Sequence, residues 1–190
     1  IVAVRKNGIV AIAADTLTTF GNTRLPAAMD SSHDKILHIG ESHVGVCGSA
    51  AHHLVLANLL GKTPEVQLNS KEAIFETFRK LHPVLKEECF LNPKEDEEDP
   101  YESSQITALI INASGLYGIF SMREVFEYTQ YWAIGSGHEF ALGAMQQAYS
   151  RLDNATDIAR AGVEAGIAFD KNSAAPITMY TATLSQSTTL

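Results

Sequence analysis

The chain has 190 residues, a formal net charge of −8, and 45% hydrophobic and 19% charged residues. That length favours a single domain, residues 1–190, with enough apolar mass for a packed core. The acidic balance gives no electrostatic reason to bind nucleic acid or an anionic membrane surface, and no apolar run is long enough to span a bilayer.

Cys47 and Cys89 make no CxxC pair and no disulfide framework, which predicts a reducing, cytoplasmic setting. Ile1 to Asp15 contains no apolar segment followed by a small-residue cleavage site, so no secretion signal is expected there.

Along the chain, Ile1 to Arg5 is β-rich. Asn7-Gly8 follows, a strong two-residue hairpin signal, and Ile9 to Ala14 is a second, mostly apolar strand. Thr16 to Asp34 is polar, with Gly21 and Pro26, and reads as loop with short strands. Lys35 to Ile39 and His43 to Cys47 are strands around a Gly40-Glu-Ser42 turn, and Gly48 breaks the second. Ala50 to Leu60 changes period: Leu54, Val55 and Leu59 suit a helix packed on a sheet, with Gly61 as the residue beyond its end. Ser70 caps a second helix to Leu81, with Glu72 and Glu76 on one side, and Pro83 kinks it or delays its end. Asn92 to Ser104 is an acidic, solvated loop.

Strands then return. Ile106 to Asn112 and Leu116 to Ser121 form a hairpin, and Val125 to Ile134 reads as one strand with aromatic alternation. His138 to Arg151 and Ala155 to Phe169 are helices, Ile177 to Leu184 is a closing strand, and Ser185 to Leu190 is a polar tail. The order of strands, two helices, strands, two helices, strand predicts an α+β fold. Two antiparallel sheets packed face to face, each covered by a helix pair, form a four-layer αββα sandwich.

Common catalytic motifs fail. No G-x-S-x-G or HExxH occurs. Gly61-Lys62-Thr63 lacks the first glycine of a phosphate loop, where Leu56 stands, and Gly135-Ser-Gly137 lacks a third glycine at Phe140. Adjacent His52 and His53 point to different helix faces.

Several segments together carry a resemblance. The opening Ile-Val-Ala-Val-Arg-Lys-Asn-Gly8, then Ala-Ala-Asp15 and Phe-Gly-Asn-Thr23, resembles the start of HslV and of proteasome β subunits. Asp34-Lys-Ile36 is similar to that family's catalytic-lysine strand, Gly45-Val-Cys-Gly-Ser-Ala-Ala51 to its glycine turn, Gly135-Ser-Gly137 to its Ser-Gly turn, and Asp170-Lys-Asn-Ser173 to its D-x-x-S motif. The order is that of the family along almost the whole chain. The sequence departs from it at His52, at Ala174 and in a longer acidic loop. Family members begin with Thr-Thr or Thr-Ser directly before an Ile-Val-like strand, so the resemblance implies a threonine ahead of Ile1.

The resemblance implies an Ntn-hydrolase fold and a threonine-type endopeptidase. Its terminal hydroxyl attacks and its own α-amine takes the proton. Lys35 would favour the neutral amine, and Asp15 would hold that lysine. The N–H of Gly48, near a helix N-terminus, would stabilise the oxyanion, and Ser136, Asp170 and Ser173 would surround the amine. Thr19 and Ala50 would pair with extended substrate, and Val46 would line the pocket for the residue before the cut, favouring apolar or small groups. Ile167, Asp170 and Ser173 would border a structural monovalent or divalent cation, and no cofactor is required for hydrolysis. The implied partners are further copies in stacked rings of six or seven, an ATPase unfoldase, and unfolded polypeptide substrates. Two other readings stay open: a non-catalytic ring subunit of the same fold, and an amidase acting on small substrates.

Overall fold

The computed structural model describes residues 1–62, 66–94, 96 and 98–185. Strand β1 (Val2–Lys6) turns through Asn7 and Gly8 into β2 (Ile9–Asp15). Both turn residues have positive φ, 49° and 78°, as a two-residue type I′ hairpin demands. Short strands β3 (Thr18–Phe20) and β4 (Thr23–Leu25) pair with each other in the polar stretch that follows. Next come β5 (Ile36–Ile39), β6 (Ser42–Cys47), helices α1 (Ala50–Lys62) and α2 (Lys71–Glu87), then β7 (Thr107–Asn112), β8 (Gly115–Ile119), β9 (Val125–Glu127) and β10 (Tyr131–Ala133). Helices α3 (His138–Tyr149) and α4 (Ala155–Phe169) and strand β11 (Ile177–Thr183) complete the order.

Two antiparallel sheets result, β10-β1-β2-β11 and β5-β6-β7-β8-β9. Alternating side chains of each sheet supply two faces. Between the sheets lie Ala3, Val10, Ile12, Leu109, Ile111 and Leu116. The outer face of the five-stranded sheet packs Val44, Ala108 and Ile110 against Leu56 and Leu60 of α1 and Ile74 and Phe78 of α2. The outer face of the four-stranded sheet packs Val2, Val4, Ala11 and Ala13 against Met145 of α3 and Ile158 and Val163 of α4. The αββα sandwich is therefore as the element order predicts.

The structure corrects four details. Residues 125–134 are two strands: β9 pairs with β8 in one sheet and β10 with β1 in the other. The chain changes sheets between them, and alternating aromatics do not encode that switch. On α1 the core face is His52, Leu56 and Leu60, with Val55 and Leu59 packed beside it as expected, while Leu54 is 72% exposed. Gly61 lies inside α1 rather than beyond it. Helix α2 runs through Pro83 to Glu87, because the buried stripe Ile74, Phe78, Leu81 and Leu85 continues past the proline. The Ser70 cap stands as read, its hydroxyl accepting the Ala73 N–H at 3.1 Å. Most of the acidic loop is described and forms no regular element, with Glu95 and Glu97 outside the described residues, as are Thr63 and residues 186–190 of the tail. Both cysteines are free, and among the described residues no helix is long and apolar enough to cross a membrane.

Candidate active site

Asp15 ends β2 and is 5% exposed. One carboxylate oxygen, Oδ2, accepts the N–H of Leu17 at 3.0 Å and that of Ala174 at 3.1 Å. The other, Oδ1, accepts from Lys35 Nζ at 2.7 Å. Lys35 stands just before β5, and its carbonyl accepts the Val46 N–H at 3.1 Å. Two sheets thus meet at one ion pair: β2 supplies the anion, and the start of the β5–β6 hairpin supplies the cation.

A second cluster joins the ends of α4 and β10. Asp170 caps the C-terminus of α4. Its Oδ2 accepts the hydroxyls of Ser136 at 2.6 Å and Ser173 at 2.8 Å, and its Oδ1 accepts the Asn172 N–H at 3.1 Å. Burial works to raise this carboxyl, but those donors and the Lys35 charge outweigh it and hold Asp170 below the ordinary aspartate range. Gly137 permits the approach: a Cβ there would lie 3.3 Å from the Gly166 Cα and 3.4 Å from the Asp170 Cβ. Both carboxylate oxygens already accept hydrogen bonds, and the Asp170 main-chain carbonyl accepts the Ser173 N–H at 3.1 Å. A cation at this helix end would therefore rest chiefly on main-chain carbonyls. Ile167 sits in the last turn of α4, packed against the helix–sheet layer. Among the described residues no group of three or more His, Cys, Asp or Glu side chains is arranged to hold a metal.

Ile1 lies beside both clusters. It exchanges main-chain hydrogen bonds with Ile134, N to O at 3.2 Å and O from N at 2.9 Å, so it extends the β1–β10 ladder. Its nitrogen feels the charges of Asp15, Lys35 and Asp170. A cleft of about 460 Å³ opens here, lined by Ile1, Asp15, Lys35, Gly48, Ser136 and Ser173. Thr19, Val46 and Ala50 line it too. Every residue singled out as catalytic or substrate-binding reaches this cleft except Asp170, which reaches it through its two serines. Gly48 has φ +104° between β6 and α1, a backbone state that L side chains rarely adopt, and a Cβ there would meet nothing within 4 Å. Conformation, not crowding, calls for glycine.

Cys47 also lines the cleft, but burial pushes its thiol up, which keeps it a poor nucleophile. Sequence reasoning missed the wall formed by Ser49, His53 and Leu54. The helical phase of α1 carries that information, since burial of His52, Leu56 and Leu60 turns His53 and Leu54 elsewhere.

Two antiparallel sheets between helix pairs, with the first strand opening into a cleft beside a buried Lys–Asp pair, define the Ntn-hydrolase fold. The proteasome subunit family matches residues 1–182, and the chain belongs to that family. The structure of Thiobacillus denitrificans BPH in complex with epoxomicin is 38% identical over 97% of this chain and 98% of that one, with a TM-score of 0.90. A second structure of that BPH is 39% identical with the same coverage and a TM-score of 0.91. HslV from Trypanosoma brucei shares the fold, at 22% identity over 96% of this chain and 98% of that one, with a TM-score of 0.67. A search of curated proteins finds no match.

Proposed function

We propose that this chain is the peptidase subunit of a self-compartmentalising, proteasome-like ring, with a threonine directly preceding Ile1 in the mature protein. The observation that supports this best is the environment of the buried Ile1 nitrogen, in the wall of a cleft that holds the Lys35–Asp15 pair and the Ser136 and Ser173 hydroxyls on Asp170. In this reading a residue joined to that nitrogen would enter the cleft.

In this reading the threonine hydroxyl attacks a peptide carbonyl while the α-amine accepts its proton, directly or through water. Lys35 disfavours a second positive charge and stabilises the developing alkoxide, and Asp15 fixes Lys35 in place. The Gly48 N–H receives the oxyanion, a contact typically worth about 3 kcal/mol of barrier. Expulsion of the amine leaves an ester on the threonine, and water cleaves it to regenerate the hydroxyl. The substrate lies extended between Thr19 and Ala50, with its side chain before the cut against Val46. In this reading an ATPase unfoldase feeds chains into a chamber of stacked six- or seven-membered rings in the cytoplasm.

The test is N-terminal sequencing and intact-mass measurement of the protein from its own cells, before and after treatment with epoxomicin, the ligand in the BPH complex. A terminal threonine carrying one inhibitor adduct is the expected result. A native start at Ile1 with no adduct overturns the peptidase reading in favour of a non-catalytic ring subunit.

A further inference from the structure

Away from the cleft, the β5–β6 hairpin carries two histidines in direct cross-strand register, His38 opposite His43. Their Nδ1 atoms lie 3.1 Å apart. Two nitrogens each about 2.0–2.1 Å from one divalent transition ion, at a tetrahedral or square-planar angle, stand about 2.9–3.4 Å apart. The two nitrogens, which share a hydrogen bond, therefore stand at the separation a chelate needs.

The surroundings hold that arrangement. Tyr180 of β11 stacks on His43, with centroids 5.1 Å apart and planes at 16°, and meets His38 edge-on at 4.4 Å. The tyrosine is itself fixed, its hydroxyl donating to Asp34 Oδ2 at 2.5 Å while Thr178 donates to Oδ1 at 2.9 Å. His38 is exposed and His43 half-buried, which leaves room for water to complete the coordination.

We infer that His38 and His43 form a two-histidine chelate for a first-row divalent transition ion such as Zn²⁺, Ni²⁺ or Cu²⁺. With only two protein ligands the site is open and moderate in affinity, and Cu²⁺ binds it most tightly of the three. Its place in the fold gives it a mechanical consequence. The hairpin it clasps begins just after Lys35 and ends just before Gly48, so a bound ion cross-links the two strands that those residues flank. The inference stands on the hairpin alone and is independent of whether the cleft is a peptidase site.

The experiment is calorimetric titration of Zn²⁺ into the full assembled protein, its H38Q variant and its H43Q variant. One ion per chain in the parent is expected, with affinity in each variant down by at least the ~10–100-fold that loss of a mere outer partner costs. No uptake by the parent at 100-micromolar order, or equal binding by both variants, shows that the nitrogens share only a proton and overturns the inference. A second measurement needs no variant: copper, reduced by ascorbate, turns dissolved dioxygen into oxidants that attack the side chains holding the copper. Oxidation mapped by mass spectrometry to His38 and His43 supports the site; oxidation centred on other histidines, or spread evenly, sinks it.

Discussion

Lys35 donates to Asp15 at 2.7 Å while the other oxygen of that carboxylate binds two backbone N–H groups, one of them from Ala174 far along the chain. The anion therefore does two things at once: it fixes the lysine and pins the 170–176 loop to the end of β2. The two partners are not equivalent. Removing Lys35 leaves Asp15 with two donors. Removing the carboxylate leaves a lysine, 25% exposed at its side chain, without its counter-ion and unpins the loop at Ala174. D15A is expected to cost about 3–5 kcal/mol, the usual cost of breaking a buried pair, and K35M clearly less. Urea unfolding of the two variants gives the comparison, and equal losses would contradict this division of labour. Under the peptidase reading both variants lose peptide hydrolysis, K35M while still folded.

Asp170 gives a pH prediction. Its carboxyl lies below the ordinary aspartate value of 3.8 because two hydroxyls, an N–H and Lys35 outweigh burial. A group whose folded pKa is depressed adds stability that is fully present above its unfolded pKa and is lost as pH falls through the folded one. The contribution is therefore constant at neutral pH, begins to fade near pH 3.8 and disappears on further acidification. Thermal melts between about pH 2 and 6 should show a shallower acid limb in S136A/S173A than in the parent. An unchanged acid limb would mean that the two hydroxyls do not hold the carboxylate.

Much of this architecture is legible in the sequence, and particular elements show why the rest is not. The Asn7-Gly8 turn needs positive φ at both residues, a local requirement that a two-letter motif announces. Helix α4 has an Asn154 side chain accepting the Thr156 N–H at its start and a periodic apolar face, so Ala155–Phe169 can be read directly. The switch between β9 and β10 depends on which sheet each strand joins, and no local pattern records that. Within the site, Asp15 and Ala174 are 159 positions apart, so their bond exists only in the fold; the family resemblance, not spacing, is what pointed to Asp15, Lys35 and Asp170 together. The His38–His43 pair is the opposite case: a separation of five positions around the Gly40 turn puts the two rings side by side, and the register could have been counted.

Gly48 separates conformation from contact. A Cβ at this position meets nothing, yet φ is +104°, so alanine is penalised by backbone strain alone, about 1–3 kcal/mol. If the Gly48 N–H receives the oxyanion, the shift in backbone needed to relieve that strain also moves the donor, and peptide turnover should fall by on the order of 10²–10³. The informative comparison is with G61A. Gly61 is helical and its Cβ site is open, so alanine there should leave turnover unchanged and stabilise by up to about 1 kcal/mol. Equal behaviour of the two variants would refute the special role of the Gly48 backbone.

Gly162 tests the outer layer rather than the site. It lies on α4 where that helix crosses α3, and a Cβ would come within 2.8 Å of Met145 Cγ, 3.1 Å of its sulfur and 3.4 Å of a Val2 methyl. Met145 is fully buried, so its chain cannot swing into solvent. Helix propensity favours alanine over glycine by about 1 kcal/mol, whereas forcing an extra methyl into a packed core costs about 1–3 kcal/mol. Overpacking should win, and G162A should unfold at lower denaturant than the parent. Shortening the obstacle should reverse the sign: in an M145A background the methyl enters vacated space, and adding G162A should stabilise. A destabilisation of the same size in both backgrounds would show that Met145 is not what excludes the side chain.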